Sequence, residues 1–237
     1  MSQKIPRRIF VALAGGALVS PKLLLAEVNP PTVLDHILLG CNDLDSGIAF
    51  VEEHAGVRAA FGGVHPGRGT RNALLSLGER HYLEIIAPDP QQTNVPDSYG
   101  LKKLTEPRLV GWAAHPGDIS QFAARLRSAN IAFDGPTPGS RKRPDGRLLQ
   151  WQTVNLKDNY FGLLPFFIEW SAGTIHPSTD APSGCKIENF TISSPNDVKL
   201  QSLSSRLSLD VQVQHAEKPQ LSARISGLNG HVIELRS

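Results

Sequence analysis

Residues 81–86 read His-Tyr-Leu-Glu-Ile-Ile, and an apolar stretch of this kind with a glutamate inside it recurs twice later in the chain. The later copies are residues 165–170 (Pro-Phe-Phe-Ile-Glu-Trp) and 231–235 (His-Val-Ile-Glu-Leu). A carboxylate within an apolar run is costly to bury unless another group pairs with it. Three such glutamates, Glu84, Glu169 and Glu234, at the end of a repeated unit therefore predict strand ends that face a pocket.

The beginnings of the three units also match one another. Residues 34–40, 109–115 and 187–193 align without gaps, and each reads as a short apolar strand. A helix-capping signal follows each strand, and then comes a helical stretch: residues 44–54, 119–128 and 198–207. Further strands are expected from Val57, Ile131 and Leu209, and two more strands close each unit. The pattern predicts a βαβββ unit that occurs twice in full and once in shorter form.

These units define the expected domain organisation. The first module covers residues 32–90 and the second covers 109–171, with linkers at 91–108 and 172–184. The third, shorter unit covers residues 185–237, and we expect it to pack on the double module or to complete a homodimer. The predicted fold class is α+β.

Composition limits the classes of function. The chain has 237 residues, of which 40% are hydrophobic, enough for a sizeable core in one or two domains. The net charge is +2, and the densest basic stretch is residues 141–143, which is too little for a nucleic-acid surface. No apolar run reaches the length of a membrane span. The expected partner is a small molecule, with no nucleic acid and no stable membrane span after processing.

The N-terminal residues 1–26 read as an export signal. Arg7 and Arg8 precede a modest apolar region that ends near Val19, as in a twin-arginine signal. An ordinary secretory signal or an uncleaved anchor is the alternative. In each case we expect a periplasmic or secreted bacterial protein.

The chain has two cysteines, Cys41 and Cys185. Neither belongs to a spacing typical of a zinc cluster. One disulfide is conceivable in an oxidising compartment, whereas a buried thiol is the commoner state of an isolated cysteine. We expect two buried, unpaired thiols.

Taken together, several of these stretches resemble the glyoxalase-like domains of the vicinal oxygen chelate superfamily. The resemblance rests on the following stretches: residues 34–40 with Asp43-Leu44, the glycine-rich residues 62–74, Tyr82-Leu83-Glu84, residues 144–146 with Trp151, and residues 165–170. It implies paired βαβββ modules whose eight strands form an incomplete barrel around a pocket. It also implies that the ligands of metal-dependent members come from the first and last strands of each module.

Placed on this sequence, the resemblance implies a divalent metal site made of His36, Glu84 and Glu169. His36 takes the first-strand position of module one, Glu84 takes its last-strand position, and Glu169 takes the last-strand position of module two. The fourth position falls at Gly111, which has no side chain to bind a metal. One imidazole and two carboxylates suit Mn²⁺, Fe²⁺, Zn²⁺ or Ni²⁺.

Each of these residues also has a structural interpretation. His36 is equally consistent with a histidine satisfied in the core, and Glu169 with an edge residue near solvent. Glu84 could instead pair with an arginine such as Arg71 or Arg80, since a paired buried carboxylate is acceptable. Glu234 has no fourth module opposite it, and we expect a structural role for it.

The glycine-rich residues 62–72 form a second candidate site, because glycines let the backbone approach a ligand closely. A tight turn is the alternative. His65, Arg68, Arg71 and Asn72 supply donors for an anionic or carbonyl-bearing substrate, and His65 is also a candidate general base. Trp112, beside Gly111, is a further candidate for substrate contact. Residues 141–147 are interpreted as a lid over the pocket or as a solvated turn.

Two functions from different classes follow from these residues. The first is an enzyme of lyase, isomerase or dioxygenase type, in which a metal ion chelates vicinal oxygens of a small substrate and stabilises an enolate-like charge. Glu169 or His65 would then move protons. The second is a metal-free module that binds or sequesters a small molecule. The scaffold alone does not decide between them, because a fold does not fix a reaction.

Overall fold

The computed structural model describes residues 29–237. The predicted export signal therefore lies outside the described residues. Within them, no helix is both long enough and apolar enough to cross a membrane.

The first module folds in the predicted element order. It contains β1 (Leu34–Gly40), α1 (Leu44–Ala55), β2 (Ala60–His65), β3 (Thr70–Ser76) and β4 (Tyr82–Pro88). The Asp43 side chain accepts a hydrogen bond from the Ser46 backbone N–H and begins α1. Gly56 ends the helix in the left-handed conformation, with φ of 72°, which a residue without a Cβ adopts readily. The chain then crosses to the far edge of the sheet, and β4 returns to pair in parallel with β1.

The second module repeats this arrangement. It contains β5 (Arg108–Ala114), α2 (Ile119–Ser128), β6 (Phe133–Lys142), β7 (Leu148–Leu156) and β8 (Phe166–Trp170). Asp118 caps α2 by accepting a hydrogen bond from the Gln121 N–H. Strand β8 pairs in parallel with β5, as β4 does with β1. The paired βαβββ modules predicted from the sequence are confirmed.

The two modules join into one eight-stranded sheet through β1 and β5, which pair in an antiparallel manner. The strand order is β2-β3-β4-β1-β5-β8-β7-β6. The two edge strands, β2 and β6, approach each other: a Cβ added to Gly63 would lie 3.0 Å from the Lys142 carbonyl oxygen. The sheet is therefore an incomplete barrel with a concave inner face, and the helices lie on its outer face.

The third unit has the predicted element order but a different strand order. After a short helix, α3 (Pro177–Asp180), the chain forms β9 (Lys186–Ser194), α4 (Asp197–Arg206), β10 (Gln212–His215), β11 (Gln220–Ser226) and β12 (Val232–Arg236). Its sheet runs β10-β9-β11-β12, so β10 lies beside β9 and β12 lies at the edge. After α4 the chain returns directly to β9, and β10 pairs with it in parallel. The interpretation of this unit as a third copy of the same module is therefore wrong in its strand pairing.

The third unit packs on the outer face of the double module, as expected. Phe190 of β9 is fully buried and lies against Trp112 of β5, with 5.1 Å between the ring centroids. Apolar residues of both sheets, of α1 and of α2 belong to one continuous core. Glu234 pairs with Arg224 at 2.7 Å on the exposed face of the small sheet, which agrees with its expected structural role.

Cys41 and Cys185 are both buried and both unpaired, as expected. The sulfur of Cys41 packs against α1, where a Cβ added to Gly47 would lie 2.6 Å from it. Burial raises the pKa of the Cys41 thiol to about 12, so this thiol stays protonated. It behaves as a small apolar core residue.

Candidate functional site

The concave face of the eight-stranded sheet encloses a cavity of about 440 Å³. Its two halves differ in chemistry. Module one contributes the polar and charged residues, among them His36, His65, Asn72 and Glu84. Module two contributes mainly flat or apolar side chains, among them Trp151, Phe166 and Trp170, together with Arg141. Most of the charged side chains of the cavity thus come from module one, and most of the apolar and aromatic ones come from module two.

Strand alternation places two of the predicted site residues next to each other. His36 lies opposite Tyr82 in the β1–β4 pair, and Glu84 lies opposite Leu38, so both side chains point from adjacent strands into the cavity. The Nε2 atom of His36 is 3.4 Å from Oε2 of Glu84. The Tyr82 ring stacks on the His36 imidazole, with 4.4 Å between the centroids. The predicted proximity of His36 and Glu84 is therefore present.

Behind His36 lies Asp35, a buried carboxylate to which sequence reasoning gave no role. Its Oδ1 is 2.7 Å from Nδ1 of His36. Its Oδ2 accepts a hydrogen bond from Nε1 of Trp170 at 3.1 Å and lies 3.2 Å from Nε2 of His176. Burial alone would raise the pKa of Asp35, but the hydrogen bonds from His176 and His36 hold it well below its usual value. The sequence did carry a signal for this role, since an aspartate beside a histidine in an otherwise apolar strand needs a partner when it is buried.

These contacts determine the charges of the three neighbouring groups Asp35, His36 and Glu84. Burial on its own would lower the pKa of His36, but the hydrogen bonds and charges of Asp35 and Glu84 raise it to about 9. Burial on its own would raise the pKa of Glu84, but His36, His65 and Arg141 lower it to about 2. At neutral pH an imidazolium therefore lies between two carboxylates.

The second carboxylate oxygen of Glu84 is held by Asn72 of β3. Nδ2 of Asn72 donates to Oε1 of Glu84 at 2.6 Å, and Oδ1 of Asn72 accepts a hydrogen bond from Nη1 of Arg141. Arg141 comes from β6 of the other module and is only 4% exposed. Its side chain passes over Gly62, where an added Cβ would lie 2.7 Å from Nη1. This is the role of Gly62 in the glycine-rich run, and it places Arg141 in the cavity wall, not in a lid.

His65 lies on the cavity side of Glu84, at the end of β2. Its Nδ1 is 2.8 Å from Oγ1 of Thr70, and its Nε2 is 3.6 Å from Oε1 of Glu84. Burial lowers the pKa of His65 to about 4; Glu84 opposes this shift, and the nearby guanidinium of Arg141 adds to it. His65 is therefore a neutral imidazole at pH 7, next to a permanently charged pair. Arg68, the neighbouring predicted substrate contact, is exposed and also lines the cavity.

Three residues that the sequence placed in the site lie outside the cavity in the structure. Glu169 of β8 points to the outer face, where it accepts a hydrogen bond from the Ile119 N–H at the start of α2, at 3.0 Å. Arg71 points away from the cavity towards Asp43, 3.8 Å away. Trp112 is buried in the outer core and donates to the Leu163 carbonyl at 2.8 Å. In β3 and β8 the residues on either side of Arg71 and Glu169 line the cavity instead, because successive side chains alternate between the two faces.

The metal site implied by the sequence therefore does not form. Glu169 is on the far side of the sheet from His36 and Glu84, and the cavity side of β8 carries Ile168 and Trp170 in its place. Within residues 29–237, no group of three or more His, Cys, Asp or Glu side chains is arranged to hold a metal ion. The residues present therefore do not fit the predicted metal centre.

Comparison with known proteins identifies relatives of this arrangement. The family model of the glyoxalase-like domain matches residues 34–208. No curated protein matches the chain. A hypothetical protein from Staphylococcus aureus is similar in structure, with a TM-score of 0.59 and 19% identity over 86% of this chain and 84% of that one.

Methylmalonyl-CoA epimerases are among the other similar structures. The enzyme from Mycobacterium tuberculosis has a TM-score of 0.41 and 20% identity, over 60% of this chain and 89% of that one. A variant of the enzyme from Streptomyces coelicolor has a TM-score of 0.44 and 22% identity, over 61% of this chain and 99% of that one. At these identities the likeness is one of fold.

Proposed function

Since the chain belongs to the glyoxalase-like domain family of the vicinal oxygen chelate superfamily, we propose that its cavity catalyses proton transfer at a carbon next to a carbonyl group of a small molecule. This is chemistry of the isomerase or lyase type. The observation that supports it is the buried, ionised carboxylate of Glu84, which lies at the cavity wall within 3.4 Å of a protonated imidazole. An ionised carboxylate at the wall of a cavity is a candidate general base.

The proposed step moves a negative charge from Glu84 to the substrate and leaves the total charge of the site and its bound substrate unchanged. Glu84 takes the proton, the electron pair of the C–H bond moves towards the carbonyl oxygen, and an enolate forms. The negative charge leaves Glu84 and appears on the enolate oxygen, close to the imidazolium of His36 and the guanidinium of Arg141. Because these cations are already in place, the charge that develops in the transition state is stabilised without rearrangement. This stabilisation of the enolate compensates for the weak basicity that the low pKa gives Glu84.

His65 provides a second place for a proton. Its neutral imidazole adjoins Glu84: Nδ1 is held by Thr70, and Nε2 lies 3.3 Å from Nδ2 of Asn72 and 3.6 Å from Oε1 of Glu84. A proton taken by Glu84 can return to the same carbon or, with the help of His65, to a neighbouring atom. Return to a neighbouring atom gives isomerisation, and loss of a group from the enolate gives a lyase reaction.

Solvent hydrogen exchange tests this proposal before a natural substrate is known. A panel of small ketones, aldehydes and 2-oxo acids is incubated with the protein in D₂O, and deuterium entry next to the carbonyl is followed by NMR. Glu84→Gln should slow exchange by roughly 10²–10⁴-fold, the usual contribution of general acid–base catalysis. Glu169→Gln is the matched control, since its carboxylate faces the outer surface, and it should leave the rate unchanged.

The same assay separates the alternatives. Exchange should persist after EDTA treatment, because the step uses only protein groups. Equal exchange by the wild type and Glu84→Gln, or loss of exchange in EDTA that added Mn²⁺ or Zn²⁺ restores, would contradict the proposal. Binding of panel compounds without any exchange would indicate a binding module instead.

A further inference from the structure

Arg141 is a buried cation whose guanidinium is largely unpaired. It is 4% exposed, and its one hydrogen bond to any part of residues 29–237 runs from Nη1 to Oδ1 of Asn72. Its Nε is buried with no partner, and Nη2 has none among the same residues. A guanidinium carries five N–H donors, and a buried donor that is left unsatisfied has a free-energy cost. An acceptor from outside this part of the chain would remove that cost.

The neighbouring arginine shows that acidic partners are available just beyond the end of β6. Arg143, two residues further on, pairs with Asp180 at 2.6 Å and also approaches Asp145 at 3.5 Å. Arg141 instead lines the cavity and makes no ion pair with any carboxylate of residues 29–237. Its contact with Glu84 runs through Asn72, so its charge is held beside the carboxylate without being neutralised by a direct pair.

The backbone is built to hold Arg141 in this place. A Cβ at Gly62 would lie 2.7 Å from Nη1, and a Cβ at Gly63 would lie 3.2 Å from Cδ of the same side chain. Heavy atoms at such distances would displace the guanidinium or the strand. Two consecutive glycines in the edge strand β2 therefore leave the space that the Arg141 side chain occupies as it crosses from the second module to the first.

The part of the cavity wall that β7 and β8 contribute is aromatic. Trp151 and Trp170 form an edge-to-face pair with 5.6 Å between their centroids, and Phe166, whose ring lies 5.5 Å from that of His36, also lines the cavity. A Cβ at Gly139 would lie 2.4 Å from the indole nitrogen of Trp151, so a glycine allows this ring to lie across β6. Such a wall favours a planar apolar group, which gains from both area burial and ring contacts.

We propose that this cavity binds organic carboxylates that carry an apolar, preferably aromatic, body. The carboxylate binds the Nη donors of Arg141 that Asn72 leaves free, and the apolar body lies against Trp151 and Trp170. A planar carboxylate matches a guanidinium better than a spherical anion does, because two parallel N–H···O bonds can form. Arg68, exposed at the cavity, adds positive charge that attracts anions. The inference rests on the proposed function for its reacting group, since Asn72 sets the carboxylate beside Glu84, and it names the substrate class of that site.

Calorimetric titration with 3-phenylpropionate tests the inference, and 3-phenylpropionamide is the neutral probe of the same shape. The wild type should bind the carboxylate at least tenfold more tightly than the amide. Arg141→Gln should weaken carboxylate binding by roughly 10- to 150-fold, the equivalent of a charged hydrogen bond of about 1.5–3 kcal/mol, and should remove the preference. Arg143→Gln is the control, because it removes a neighbouring charge that pairs outside the cavity, and it should bind as the wild type does.

Each outcome decides the inference. Equal affinity of the wild type for both compounds, failure to bind either at millimolar concentration, or an Arg141→Gln protein that keeps the preference would overturn it. If Arg141→Gln does not fold, the wild-type comparison of carboxylate and amide stands alone as the test, with Arg141→Lys as a second variant.

The two proposals can fail separately. Strong carboxylate binding by a protein that exchanges no deuterium into phenylpyruvate would refute proton transfer and leave the ligand class standing. Exchange into neutral ketones as fast as into phenylpyruvate, without any carboxylate preference in binding, would refute the ligand class and leave proton transfer standing.

Discussion

The protonation of His36 is a prediction that can be tested without any ligand. His36 is fully buried, yet the carboxylates of Asp35 and Glu84 on its two nitrogens raise its pKa from 6.5 to about 9. At about 1.36 kcal/mol per pH unit, such a shift corresponds to roughly 3 kcal/mol of preference for the imidazolium in the folded protein. Because the folded pKa is raised, this stability is fully present below pH 6.5 and is lost as the pH rises through about 9.

Two measurements check this prediction. The imidazole signals of His36 in the NMR spectrum, assigned with a His36→Gln sample, should titrate with a midpoint near pH 9. The free energy of unfolding in urea should fall by up to roughly 3 kcal/mol between pH 6 and 9. The window stops at pH 9 because the Cys41 thiol, which is protonated in the folded state, favours unfolding above that value.

A control variant separates the effect of Asp35 on the titration of His36 from general effects of pH on the protein. Asp35→Asn keeps the shape of the side chain but removes its charge, so it should move the titration of His36 to lower pH and flatten the stability profile. A His36 imidazole that titrates near 6.5 or below in the wild type would refute the reasoning. It would show that Asp35 and Glu84 do not hold an imidazolium between them.

Two further predictions concern the packing that supports the site. Gly62→Ala should lower the free energy of unfolding by about 1–3 kcal/mol and remove the preference for 3-phenylpropionate over its amide, because the added Cβ overlaps Asn72 and Arg141. Gly111→Ala has open space and should change stability by no more than about 0.5 kcal/mol; equal behaviour of the two variants in denaturation and binding would contradict the account. Phe190→Ala should lower the free energy of unfolding by about 3–5 kcal/mol if the third unit shares the main core, whereas a loss below about 1 kcal/mol would indicate that it does not.

The paired modules could be predicted because their signals are local. Apolar strands, the capping residues Asp43 and Asp118, and the periodicity of the first two helices all repeat at matching positions. The third unit carries the same element order, but strand order depends on where the chain goes after α4. The connections after α1, α2 and α4 are all short, so neither loop length nor the pattern of residue types distinguishes the third unit, and its strand order had to be read from the structure.

The site was predictable only in part. His36 and Glu84 follow from the family resemblance, and the structure brings them together. The predicted place of Glu169 was wrong because the motif shows that a glutamate lies in the strand but not which face it takes; in the structure it faces outward, and Ile168 and Trp170 face the cavity. Arg141 could not be assigned from sequence, since its place beside Asn72 depends on a crossing between edge strands of different modules.

The crystal structure of the Glu84→Gln protein with 3-phenylpropionate tests the central claim most directly. The account predicts the ligand carboxylate on Arg141, its ring against Trp151 and Trp170, and the side chain at position 84 facing the carbon atoms next to the carboxylate. A ligand bound outside the cavity, or a wild-type crystal in which His36 and His65 hold a metal ion in place of the proton, would contradict it.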